Sequence, residues 1–212
     1  MADKKVIGGT NVTASQIKEI CDMVDAGIIN RSFVQSIIEH RNPWVGHSLV
    51  VNRGVPFDPS KFIGPGWTVW KGPVDGDGLN GKEEQGSRSL SFTEIDFDRV
   101  FFETCLFAGE THISGEEKII RHAKMGHICA DAKIGQELLN EKGQKTLLYL
   151  LKEKGIEYLE LPDTTLRSPR IERYTLYLYW APREREWGWS YEWLKRERGT
   201  SRPSLVLAKV WD

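Results

Sequence analysis

From Thr13 to Arg41 apolar residues recur at helical spacing. Ile17, Ile20, Cys21 and Val24 form an i, i+3, i+4, i+7 stripe. It follows the capping-box pattern Thr13-Ala14-Ser15-Gln16 and precedes Gly27, a good residue just past a helix end. Asn30 opens a second stripe at Phe33, Val34, Ile37 and Ile38. The pattern predicts a helical hairpin as an appendage over residues 1–42. Its about 29 helical and turn residues bury too little surface to stand alone, so the hairpin must dock on something.

The texture changes between Asn42 and Gly86, where five of the nine prolines and nine glycines crowd together. Short strands are expected at Leu49–Val51 and Trp67–Trp70, inside a loop-rich region whose Trp44, Phe57, Phe62, Trp67 and Trp70 call for burial. Ser89 to Phe102 reads as strand, with a phase change near Thr93. Ser114-Gly115-Glu116-Glu117 is a second capping box, opening a helix that ends near Gly126. Asp131 caps the next helix, through Leu139 and Asn140 to Gly143, and a third runs from Thr146 to Glu153 and stops at Gly155. After Pro162-Asp163 the chain turns to strands at Tyr174–Trp180, Trp187–Leu194 and Leu205–Trp211. The class is therefore α+β, with a second domain over residues 43–212.

Charge narrows the function. Lysine and arginine number 29 against 30 acids, a formal charge of -1. This is neither the basic excess of a non-specific nucleic-acid binder nor the acidity of a DNA mimic. The first residues lack an apolar signal core, and no segment approaches the ~18 apolar residues of a membrane span. The default expectation is a cytoplasmic protein without a membrane span.

Candidate chemistry is sparse. Glu94, Asp96 and Asp98 alternate, so on one strand their carboxylates share a face, as in a metal-dependent hydrolase or nuclease; the plain alternative is a solvated strand face. Asp75-Gly76-Asp77-Gly78-Leu79-Asn80-Gly81 fails the calcium-loop pattern, because Leu79 and Asn80 stand where an oxygen ligand and a glycine belong. It reads as a turn. Cys21, Cys105 and Cys129 form no C-x-x-C, and no cysteine–histidine spacing resembles a zinc site. Free buried thiols are expected, with no cofactor and no metal. His122 and His127 stand five apart, off a shared helix face, and with His112 read as surface or helix-end residues.

The most unusual stretch is Glu184–Ala208. Trp187, Trp189, Tyr191 and Trp193 alternate, placing four rings on one face of a strand and Gly188, Ser190 and Glu192 on the other. Mixed charge from Lys195 to Arg202 follows, then an apolar strand. Rings beside arginines could stack single-stranded nucleic acid, but Glu184, Glu186, Glu192 and Glu197 offset the positive charge. A nucleic-acid partner is therefore not expected.

Several stretches resemble variable proteins of diversity-generating retroelements. They are Glu39-His40-Arg41-Asn42-Pro43, Trp70-Lys71-Gly72-Pro73 with Asp75-Gly76-Asp77-Gly78-Leu79, Gly115-Glu116-Glu117-Lys118, and the C-terminal YLYW…WGWSYEWL…PSLVLA. The resemblance implies a C-type-lectin-like fold and a non-enzymatic binding protein. It further implies that an error-prone reverse transcriptase rewrites its codons at template adenines, within a variable region 183–203. The ligand-binding positions it implies are Gly188, Ser190, Tyr191, Glu192, Lys195, Arg196, Glu197, Arg198, Thr200, Ser201 and Arg202. Trp187, Trp189, Trp193 and Leu194 would be scaffold. Glu192, Lys195 and Glu197 cannot arise from an asparagine codon by adenine change at its first two positions, so they come from other template codons or are fixed. The implied partner is a protein or surface ligand. Burial is expected for the three tryptophans, and one contiguous exposed surface for Lys195 to Arg202.

Overall fold

Local signals place most elements of this α+β protein. The computed structural model describes residues 4–7, 10–26, 47–79 and 88–209, and divides the chain into two units, Met1–Gly46 and His47–Asp212. In the first, strands β1 (Lys4–Ile7) and β2 (Thr10–Thr13) pair antiparallel with Ile7 opposite Thr10, a two-residue connection that suits a tight hairpin. Helix α1 (Ala14–Asp25) follows, where the Thr13 capping pattern puts it. The second expected helix lies outside the described residues.

The second unit begins with β3 (Ser48–Val50), the short helix α2 (Pro59–Phe62) and β4 (Thr68–Val69). Asp58 caps α2 by accepting from the Ser60 N–H, and Pro59 starts it with its fixed φ. The Asp75 segment is a turn. Asp75 accepts from the Lys71 N–H, and Asp77 pairs with Arg167 at 2.8 Å. The strand-like span from Ser89, with its phase change near Thr93, comprises a 3-10 turn at Ser89–Ser91, β5 (Glu94–Asp96) and β6 (Phe101–Glu103).

After β7 (His112–Ser114), helix α3 (Gly115–Lys124) starts at Ser114, whose hydroxyl accepts from the Glu117 N–H. Strand β8 (His127–Cys129) leads to α4 (Ala132–Leu138), capped by Asp131. Asn140 does not continue that helix. Its side chain accepts from the Gly143 N–H and caps a separate helix, α5 (Glu141–Lys154), which ends on Gly155 at φ 65°. Strands β9 (Tyr158–Arg167), β10 (Arg173–Ala181), β11 (Glu186–Trp193), β12 (Glu197–Gly199) and β13 (Ser204–Lys209) complete the unit.

Among the described residues the main sheet has seven strands in the order β11-β10-β9-β13-β6, with β4 also on β9 and β8 on β13. Strand β9 contains Pro162, which supplies no N–H to a ladder. The register with β10 jumps there, from Leu161 opposite Leu176 to Thr165 opposite Thr175, so the proline sits in a bulge. Leu159, Leu161, Leu166, Leu176 and Leu178 are all fully buried, and Ile134, Leu138, Leu147 and Leu150 of α4 and α5 belong to the same core. Each such side chain contributes roughly 1.5–3 kcal/mol by burial. Gly135 allows the close approach of α4, since a Cβ there would stand 2.2 Å from Leu161 Cδ1. No helix among the described residues is long and apolar enough to cross a membrane.

Helix α3 inverts the usual pattern. Lys118, Arg121 and His122, at i, i+3 and i+4, are its buried residues together with Gly115, while Ile120 is exposed. A polar stripe turned inward needs partners for every group, and Lys118 finds Glu160 and the Arg202 carbonyl while Arg121 finds Glu110 and the Cys105 carbonyl.

Candidate ligand-binding surface

Among the described residues strand β11 is an edge strand, paired only with β10, with Trp187 opposite Trp180 and Trp193 opposite Tyr174. Directly opposed residues share a face. One face therefore carries Trp187, Trp189, Tyr191 and Trp193 above Leu178 and Leu176. Its burial declines along the strand. Trp187 is 4% exposed, Trp189 is half-buried against Phe62 at 4.5 Å, and Tyr191 touches Trp67 at 4.4 Å yet is 38% exposed. Trp193 is also 38% exposed, with Lys195 Nζ 5.5 Å from its ring. The expectation that Trp193 is buried is thus corrected: the rings supplied by Phe62 and Trp67 reach Trp189 and Tyr191 only. With Trp187 buried and Trp189 partly so, the strand presents two exposed rings rather than four.

The other face joins Gly188, Ser190 and Glu192 to Tyr179, Tyr177 and Thr175. Tyr177 stacks on Tyr158 of β9 at 4.4 Å and lies 6.0 Å from Tyr179. The Arg202 guanidinium covers Tyr158 at 4.7 Å and pairs with Glu192 at 2.9 Å, and Arg196 reaches the other Glu192 oxygen at 3.3 Å. Burial opposes the Glu192 charge, but the Arg202 hydrogen bond with Arg196 and Arg198 outweighs it and holds the carboxyl below its ordinary range. Gly188 lies under Tyr179, where a Cβ would meet Tyr179 Cζ at 3.0 Å. A side chain at position 188 therefore requires that ring, 37% exposed, to shift by a few tenths of an ångström.

Beneath this surface lies a buried charge cluster. Glu160 receives Lys118 Nζ on one oxygen and Arg198 Nε on the other, both at 2.6 Å. Lys118 also donates to the Arg202 carbonyl at 2.6 Å, and Arg198 to the Trp193 carbonyl at 3.1 Å. Arg198 is 1% exposed. The expectation of an exposed run from Lys195 to Arg202 fails at this residue, because its guanidinium is the internal clamp of the loop. Main-chain bonds complete the anchoring. Strand β12 pairs with β7, and the Gly115 and Glu116 N–H groups donate to the carbonyls of Arg196 and Leu194.

The eleven implied binding positions therefore divide. Lys195, Arg196, Glu197, Thr200, Ser201 and Tyr191 are exposed; Gly188, Ser190 and Arg202 are half-buried; Glu192 and Arg198 are buried. Tyr191 lies on the tryptophan face, opposite to Ser190, so the set does not share one surface. Tyr158, Tyr177 and Tyr179 join the polar face without having been expected. The signal for Tyr177 and Tyr179 is the alternation of Leu176-Tyr177-Leu178-Tyr179, which marks tyrosine as the outward residue of β10.

The remaining sequence candidates fare differently. Glu94 and Asp96 flank buried Ile95 and are exposed, whereas Asp98 lies beyond the strand and accepts from the Tyr149 hydroxyl at 2.7 Å. Among the described residues the trio forms no group able to share an ion. A separate cavity of about 590 Å³ is lined by Arg53, Phe57, Lys71, Asp131, Lys133 and Asp163, among others. Asp131 is neutralised there by Arg53 at 2.7 Å. Burial, with Asp131 adding repulsion, pushes the Asp163 carboxyl up to about 7. His112 is exposed as expected, and His122 and His127 do flank the end of α3, but at 3% and 7% exposed they lie buried against Cys105 and not at the surface.

Compared with known protein families, curated proteins and solved structures, the chain matches none of them.

Proposed function

We propose that the chain is a non-enzymatic ligand-binding protein with a C-type-lectin-like fold, whose exposed C-terminal positions are diversified by a retroelement. The observation that carries the reading is the separation of anchoring from display in residues 186–203. Trp187, Leu194, Glu192 and Arg198 are buried, and the loop is held by main-chain bonds and the Glu160 cluster. Ser190, Lys195, Arg196, Glu197, Thr200 and Ser201 leave that frame with their side chains free of the core. Exchange at such positions costs little, typically within about 0.5 kcal/mol. The loop-rich stretch from residue 47 to 79 ahead of a C-terminal antiparallel hairpin supports the fold reading.

The chemistry of the polar face favours a protein ligand. Tyr177, Tyr179 and half-exposed Tyr158 beside Arg196 and Arg202 form the tyrosine-plus-arginine mixture that supplies contact area at low entropic cost in binding surfaces.

Two display libraries test the reading, each randomised at six positions outside the core. One varies Ser190, Lys195, Arg196, Glu197, Thr200 and Ser201; the other varies exposed sites on α3 to α5. Both should stay folded, and only the first should yield binders to unrelated protein targets. Equal yields from both, or collapse of folding in the first, would overturn the proposal.

A further inference from the structure

Cys105, His122 and His127 come from three separate segments and meet inside the second unit. Cys105 follows β6, His122 lies on the last turn of α3, and His127 opens β8. Their Sγ and ring nitrogens all lie within 4.8 Å of one another. The five-residue spacing that rules out a shared helix face does not keep the histidines apart. Helix α3 stops at Lys124, Gly126 turns the chain at φ 65°, and the two Nδ1 atoms come to 2.9 Å. Cys105 Sγ is 3.4 Å from the ring nitrogens of His122.

We propose that this cluster is a zinc-type metal site with two imidazole ligands, one thiolate ligand and one open coordination position. The two edges at His122 are close to those of a zinc site, and the third, from His127 to Cys105, lies within 4.8 Å and must shorten to about 3.6 Å. With Zn–N about 2.0–2.1 Å and Zn–S about 2.3 Å, tetrahedral edges are about 3.3 Å between nitrogens and about 3.6 Å between nitrogen and sulfur. The observed 2.9 and 3.4 Å need to open by only a few tenths of an ångström. All three side chains are buried, so an ion there is shielded from solvent. The chemistry of the donors, borderline-soft nitrogen and sulfur, selects zinc over magnesium or calcium.

A second observation is the backbone at Cys105, which holds φ 59°. A non-glycine residue in the left-handed region costs free energy and persists only where its surroundings enforce it. Here the enforcing group is Arg121, the residue next to His122. It donates to the Cys105 carbonyl at 2.9 Å, to Glu117 Oε1 at 2.8 Å and to both oxygens of Glu110, and its guanidinium covers Phe107 at 4.0 Å. One arginine thus fixes the whole loop that aims the thiol at the histidine pair. The nearby cations are already neutralised: Lys118 by Glu160 and Lys209 by Glu103. Metal binding displaces the Cys105 thiol proton, and ligation through both Nδ1 atoms leaves each imidazole proton on Nε2.

The test uses the full chain, freed of metal and kept reduced, with Zn²⁺ and Co²⁺ as probes. One equivalent of Zn²⁺ is expected to bind and to raise Tm by about 5–10 °C at a hundredfold excess over Kd. Co²⁺ should give a thiolate-to-metal charge-transfer band that Zn²⁺ displaces. Cys105→Ser should abolish the band while Cys129→Ser keeps it, and His127→Asn should weaken binding at least tenfold. Wild-type protein with no band and no change in Tm would overturn the assignment whatever the variants do. So would a band that survives Cys105→Ser. Without a metal, the 2.9 Å contact is a hydrogen bond between two neutral imidazoles.

Discussion

Glu160→Gln is expected to destabilise the protein by about 3–5 kcal/mol, the usual cost of removing one partner from a buried ion pair. Its Lys118 and Arg198 partners have side chains only 2% and 1% exposed, so the variant would strand two cations in the core. For a unit of this size the loss corresponds to a fall in Tm of about 6–20 °C. Arg196→Ala is the contrast. That side chain is 68% exposed, and its removal should change stability by no more than about 0.5 kcal/mol. Denaturant unfolding followed by tryptophan fluorescence measures both. The pair of results separates the buried cluster that holds Arg198 from the display surface that carries Arg196.

Asp163→Asn should change the pH dependence of stability. The carboxyl has an ordinary value of 3.8 and is pushed up to about 7 in the folded protein, first by burial. Between those values the folded state holds a proton that the unfolded chain has lost. Stability therefore falls as pH rises from about 4 to about 7 and is flat above, by the proton-linkage relation. The full shift would correspond to about 4 kcal/mol at 1.36 kcal/mol per pH unit, and access of water through the cavity reduces this to roughly 2. The asparagine variant cannot ionise, so it should be more stable than wild type at pH 8 and nearly equal at pH 4. Unfolding curves at the two pH values give the difference directly. A constant difference across the range would place the titration elsewhere.

Features set by neighbours in sequence were legible. Ser114, Asp131 and Gly155 mark helix ends because caps act within one turn, and each occupies the expected position. Gly143 misled, since it reads as a stop but belongs to the first turn of α5. A Cβ there would stand 2.3 Å from the Glu137 carbonyl, so the glycine answers a close approach of α4 and not a helix end. Pro162 concealed the start of β9 because a proline argues against a strand unless a bulge excuses it from the ladder.

The buried chemistry was not legible for a different reason. Lys118, Glu160 and Arg198 lie in three distant segments, and nothing local marks a charge as internal. Helix α3 even presents the opposite signal, exposing Ile120 and burying Lys118, Arg121 and His122. Cys105, His122 and His127 escaped by the same route. Their spacing matches no metal motif because the chain reverses between the histidines. Along β11 the alternation of rings gave the faces correctly, but burial depends on what lies beneath, and the rings that cover Trp189 and Tyr191 do not extend to Trp193.

The central claim is that nature exchanges the displayed residues and spares the clamps. Sequencing the DNA around the gene tests it most directly. The account predicts an imperfect repeat of the codons for Arg183–Ala208 beside a reverse transcriptase gene, differing at adenines. The differences should fall at positions such as Ser190, Tyr191, Arg196, Thr200 and Ser201, and should spare Trp187, Glu192, Leu194 and Arg198. Absence of any repeat, or a repeat whose differences concentrate on those four buried residues, would contradict it.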